Sequence, residues 1–76
     1  MDGSVAKGIE TLLQERGLKQ RVIAKKSGFT QQQFSDMLRG RKIIRADYLV
    51  QIAQAMGVSV QDIFDAGVFG ESKEAM

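Results

Sequence analysis

Gln31, Gln32 and Gln33 stand consecutively in the stretch GFTQQQFSDMLRG, residues 28–40. Each ends in an amide that accepts a hydrogen bond through Oε1 and donates through Nε2. Ser35 and Asp36 follow within a turn, adding a hydroxyl and a carboxylate. Such a set suits recognition of a polar edge by paired hydrogen bonds rather than bond making. The chain contains no Cys, His, Pro or Trp, which removes disulfides, thiolate and imidazole metal sites, and the usual nucleophile or general-base sets. Asp62 with Asp65, or Glu71 with Glu74, are i, i+3 acids that read as helix-end or tail solvation rather than catalytic pairs. With no Gly-rich phosphate loop and no metal-ligand spacing, neither an enzyme nor a cofactor or metal is expected.

Charge narrows the partner. Between residues 17 and 45, eight basic residues (Lys19, Arg21, Lys25, Lys26, Arg39, Arg41, Lys42 and Arg45) face one acid, Asp36, a local charge of +7. The remaining three bases face eight acids, −5, so the overall charge of +2 conceals a strongly basic block. A polyanion would gain affinity there through counterion release, whereas a purely solvated basic face would explain the same residues. Seventy-six residues suit one small domain. The longest apolar runs are three residues, and the start MDGSVAKG has no early basic cluster or apolar leader core; a soluble, cytoplasmic protein without a membrane partner is expected.

The elements that must position the glutamines follow from apolar spacing. The absence of Pro and repeated spacings of three and four predict an all-helical chain without internal repeats. Val5, Ile9, Leu12 and Leu13 share a face of a first helix over about residues 4–16, with Ser4 as its cap and Gly17 beyond its end. A second helix over about 20–27 stops at Gly28. Thr30 is placed to cap a third helix over about 31–39. RKIIRA, residues 41–46, lacks helical period and should loop back to a fourth helix with Leu49, Ile52, Ala53 and Met56 on one stripe, ended by Gly57. Ser59 and Asp62 resemble a capping box for a fifth helix stopping before Gly67. The domain is expected over 1–69, with a flexible tail over 70–76.

Two short helices joined by a three-residue turn containing Gly have the form of a helix-turn-helix, whose second helix enters the DNA major groove. Small Ala24 falls where the helices would cross. At about 100° per residue, Phe34, Met37 and Leu38 lie on one side of the third helix, with Gln32, Asp36 and Arg39 opposite and Gln33 and Ser35 flanking. Gln31 stands in the first turn, where such helices meet base edges. An amide that accepts from adenine N6 and donates to N7 fits this position, so Gln31 and Gln32 lead the base-reading set, followed by Gln33, Ser35 and Asp36. Gln33 has a base, a phosphate or solvent as its open alternatives. Asp36 has three: it accepts from cytosine N4, repels misaligned phosphates, or pairs with Arg39 at i, i+3.

These residues together resemble the Cro and lambdoid-repressor family of helix-turn-helix DNA-binding domains, from about Ile9 to Phe64. The matching stretches are GLKQ, IAKKSGFT, F..ML.G, GRKIIR and YLVQIAQAMGVSVQDIF. The resemblance implies a five-helix domain, often dimeric, that binds a roughly palindromic operator and regulates transcription. Some phage repressors carry Thr-Gln-Gln at the start of this helix and use the glutamines on operator bases. The resemblance further implies a phosphate at Gln20, where a helix N-terminus attracts anions, and backbone contacts from Arg39, Arg41, Lys42 and Arg45; Lys19 and Thr30 complete the phosphate set.

Two departures stand out. Lys19 occupies a slot usually held by a capping Ser, Thr or Asn. Leu13 and Leu38 replace a buried Arg–Glu pair common among relatives, a swap that packed apolar groups tolerate; direct contact between the two leucines is expected. Val60, Ile63, Phe64, Val68 and Phe69 would form a homodimer interface as the family implies, or else close the monomer core. The expected function is a sequence-specific double-stranded DNA-binding transcriptional regulator, a repressor that binds a palindromic operator as a dimer; an antitoxin and a restriction-modification controller share this domain. A helical protein- or RNA-interaction module on the same scaffold is the alternative of a different class.

Overall fold

The apolar stripes of the sequence become the inner faces of five helices. The computed structural model describes the backbone of residues 3–75 and the side chains of residues 5–68. In chain order the helices are α1 (Gly3–Arg16), α2 (Gln20–Ser27), α3 (Gln31–Leu38), α4 (Ala46–Met56) and α5 (Val60–Ala75), with no strand among the described residues. Ile9, Leu12 and Leu13 of α1 meet Ile23 and Ala24 of α2, Phe34, Met37 and Leu38 of α3, the α4 stripe of Leu49, Ile52, Ala53 and Met56, and Ile63 of α5 in one core. Leu13 and Leu38 are both buried in this cluster and their helices pack together. The most extensive helix pairing is α1 with α5.

That pairing depends on a glycine absent from the sequence reading. Gly8 is buried in the middle of α1, and a Cβ there would lie 2.0 Å from the Ile63 carbonyl oxygen and 3.0 Å from the Gly67 nitrogen. The two helix backbones therefore touch at a point where only hydrogen fits. The Gly67 nitrogen lies at the same crossing, and α5 runs through Gly67 to Ala75 instead of stopping before it as the sequence suggested. The tail set off at residue 70, and the Ser4 cap, fall on side chains outside the described residues; α1 itself starts at Gly3.

At the α5 start, the Asp62 N–H donates to Ser59 Oγ and the Ser59 N–H donates to Asp62 Oδ2, each at 3.0 Å, the expected reciprocal box. The Ser59 backbone N–H, then its hydroxyl, hold the Asp62 carboxyl below its ordinary value of 3.8, with Arg16 assisting. A lowered folded-state pKa means stability that is present above 3.8 and is lost as pH falls through the folded value. Thermal melts of the Asp62→Asn protein should therefore lie below the unmodified chain near neutrality, and the gap should close on acidification; a gap independent of pH would contradict the ionic cap.

Candidate nucleic-acid interface

The positioning of α3 begins in α2. The α2 N-cap, Lys19, makes no side-chain capping bond, in keeping with its inability to accept one. The helix is instead buried along its inner face. Ile23 and Ala24 are each 1 % exposed, and the buried Ser27 hydroxyl donates to the Ile23 carbonyl at 2.7 Å. Gly28 then takes φ 89°, a left-handed conformation costly for a residue with Cβ, while the Phe29 N–H donates to the Ala24 carbonyl at 2.9 Å. Phe29 turns inward and meets Tyr48 of α4 edge-on, ring centroids 5.0 Å apart. The turn is thus tied to the core on both sides.

Thr30 caps α3 as expected, and it does so reciprocally. The Gln33 N–H donates to Thr30 Oγ1 at 3.0 Å, and the Thr30 N–H donates to Gln33 Oε1 at 2.9 Å. Gln33 therefore serves as the far arm of a capping box, a role announced by the T-x-x-Q spacing but missed in the sequence reading, and its amide oxygen is taken. Phe34, Met37 and Leu38 anchor the opposite face in the core, leaving Gln31 and Gln32 exposed in the first turn. Gln31 has no side-chain partner among the described residues. Ser35 and Asp36 are half-buried. Asp36 does not pair with Arg39; its Oδ1 accepts from Gln32 Nε2 at 3.0 Å, one turn back. Arg39 at i+3 and Gln32 at i−4 both stand within helical reach of Asp36, and the amide took the carboxylate.

The end of α3 is fixed by main-chain bonds. The N–H groups of Arg41 and Lys42 both donate to the Asp36 carbonyl, at 2.8 and 3.2 Å. This folds the basic loop back against the helix and leaves Arg39, Arg41 and Lys42 exposed around its C-terminal end. Ile43 projects beside them at 80 % exposure, an apolar residue that no periodicity in this loop could have singled out. Arg45 is less free than the others. Its Nε lies 3.6 Å from Asp47 Oδ1, and its guanidinium lies 5.6 Å from the Tyr48 ring centroid. The ion pair is exposed and contributes about 1 kcal/mol at most. Lys19 and Thr30 are exposed and Gln20 is half-buried at the start of α2.

The expected dimer surface is reduced. Ile63 is fully buried in the monomer core and offers a partner nothing, and half-buried Val60 packs on the same core. Phe64 and Val68, one turn apart on α5, remain exposed, while the Phe69 side chain lies outside the described residues. Among the described residues, no helix is long and apolar enough to cross a membrane, and no group of acids is placed to hold a metal ion.

Comparison with known proteins bears on this geometry. Residues 9–63 match the family described as Helix-turn-helix. An uncharacterised HTH-type transcriptional regulator, y4dJ, of Sinorhizobium fredii is 40% identical over 55 residues, covering 72% of this chain and 71% of the relative. Two crystal structures of the clp gene regulator ClgR from Corynebacterium glutamicum share the fold at 22% identity. One superposes with a TM-score of 0.83 over 91% of this chain and 90% of its own, the other with 0.82 over 97% and 79%.

Proposed function

From the premise that the chain belongs to the helix-turn-helix family of transcriptional regulators, in its Cro and lambdoid-repressor branch, we propose that it is a cytoplasmic, non-enzymatic repressor that binds a palindromic operator in double-stranded DNA as a homodimer. The observation that carries this reading is the first turn of α3. It is capped, anchored by three buried side chains, and presents the amides of Gln31 and Gln32 outward from a block of charge +7. Amides on a rigid helix tip suit base edges, and the bases around them suit phosphates. Gln31 and Gln32 read bases; Ser35 lies at the flank of the same groove. Gln33 supports the tip through Thr30. Arg39, Arg41 and Lys42 hold phosphates at the C-terminal end of α3, with Lys19, Gln20 and Thr30 at the helix starts and Arg45 as a partly engaged outer contact. Phe64 and Val68 supply the apolar contact between protomers, which would set two α3 helices about 34 Å apart, one DNA turn.

Selection of bound duplexes from a random pool tests the reading. A two-fold symmetric site is expected; no enrichment over bulk DNA would favour an interaction module instead. A finer check concerns the loop. Lys42→Ala should weaken binding to all duplexes alike and lower the slope of log affinity against log salt by about one. An unchanged slope would make Lys42 a solvated residue.

A further inference from the structure

We propose that Asp36 is a positioning residue for Gln32 and thereby makes Gln32 select adenine over guanine, an inference that rests on the DNA-reading function proposed above. Gln32 Nε2 donates to Asp36 Oδ1 at 3.0 Å. A carboxylate only accepts, so the amide must turn its nitrogen toward Asp36; the flipped amide would set Oε1 against Oδ1, oxygen against oxygen. One Nε2 hydrogen is thereby engaged and the plane of the amide is set. What remains for a partner is one acceptor, Oε1, beside one donor, the second Nε2 hydrogen.

Adenine offers the complement in the major groove, an N6 donor beside the N7 acceptor. Guanine offers two acceptors, O6 and N7, and asks for two donors. The held amide has one left, and it brings Oε1 and the Asp36 charge toward guanine O6. The three neighbouring amides therefore differ in what they can do. Gln31 is unpartnered among the described residues, Gln33 has its oxygen engaged by the Thr30 N–H, and Gln32 alone is oriented by a charged neighbour. No ion pair with Arg39 draws the Asp36 carboxylate away.

Parallel selections from one random duplex pool, with the full chain and its Gln32→Ala, Asp36→Asn and Asp36→Ala variants, test the assignment. Loss of preference in the Gln32→Ala protein identifies the base column that Gln32 reads, and the unmodified chain should show adenine there. Asparagine at position 36 can donate to Gln32 Oε1 as well as accept from Nε2, so both amide orientations become available. The adenine-to-guanine ratio in that column should fall about tenfold in Asp36→Asn and also in Asp36→Ala, with the other columns unchanged. Retained discrimination in both variants, or a change confined to a different column, overturns the proposal. So does a wild-type column that is not adenine within an otherwise symmetric site, which would leave the DNA-binding function standing. Failure of the unmodified chain to enrich any site would overturn that function and the inference with it.

Discussion

Replacing Gly8 by alanine is expected to destabilise the fold by roughly 3 kcal/mol and to lower the melting temperature by roughly 12–24 °C, at about 4–8 °C per kcal/mol for a domain of this size. In an ordinary helix interior the same change would stabilise by up to about 1 kcal/mol, because glycine carries the larger backbone entropy cost. Packing reverses the sign. The new Cβ would stand 2.0 Å from the Ile63 carbonyl oxygen, inside any permitted contact, and the obstacle is backbone rather than a side chain that can swing aside. Relief requires α5 to move away from α1, and Ile63, fully buried, would move with it. A Gly8→Ala protein that melts at or above the unmodified chain would show that the two helices do not approach this closely.

Leu38→Glu should be comparably damaging, about 4 kcal/mol, since it removes a buried apolar side chain and leaves a carboxylate without a partner in the core. The buried Arg–Glu pair that the family resemblance implies at these two positions suggests the rescue. Adding Leu13→Arg should recover part of the loss, because the pair would then neutralise itself between α1 and α3, which pack together. Near-wild-type melting of Leu38→Glu alone would mean that position 38 reaches solvent. No recovery in the double variant would separate Leu13 from Leu38 in space.

Where local chemistry decides, the sequence was legible. Thr30, Gly28, Gly57 and the Ser59–Asp62 box mark helix ends that the structure reproduces, and the spacing of Leu49, Ile52, Ala53 and Met56 makes the buried stripe of α4. Where two distant segments decide, it was not. Gly67 carries the same signal whether it ends a helix or lies inside one, and its backbone meets Gly8, some sixty positions away in the chain. Ile63 shows the same limit, since an apolar residue on a terminal helix serves a partner or the core, and only its burial tells which. At the reading face the residue types pointed to recognition, but their division of labour depends on short side-chain bonds. Gln33 bonds back to Thr30 and Asp36 bonds to Gln32, so two of the five expected base readers are occupied in shaping the others.

The central claim is that the first turn of α3 reads base pairs while the surrounding bases hold the backbone. It is tested most directly by equilibrium titration of the unmodified chain and the Gln31→Ala, Gln32→Ala double variant against a selected duplex and a scrambled duplex of equal length and salt. The unmodified chain should prefer the selected duplex by at least about tenfold, and the double variant should bind both with the weaker, salt-dependent affinity of non-specific contact. Equal binding of both duplexes by the unmodified chain, or undiminished preference in the double variant, would contradict it.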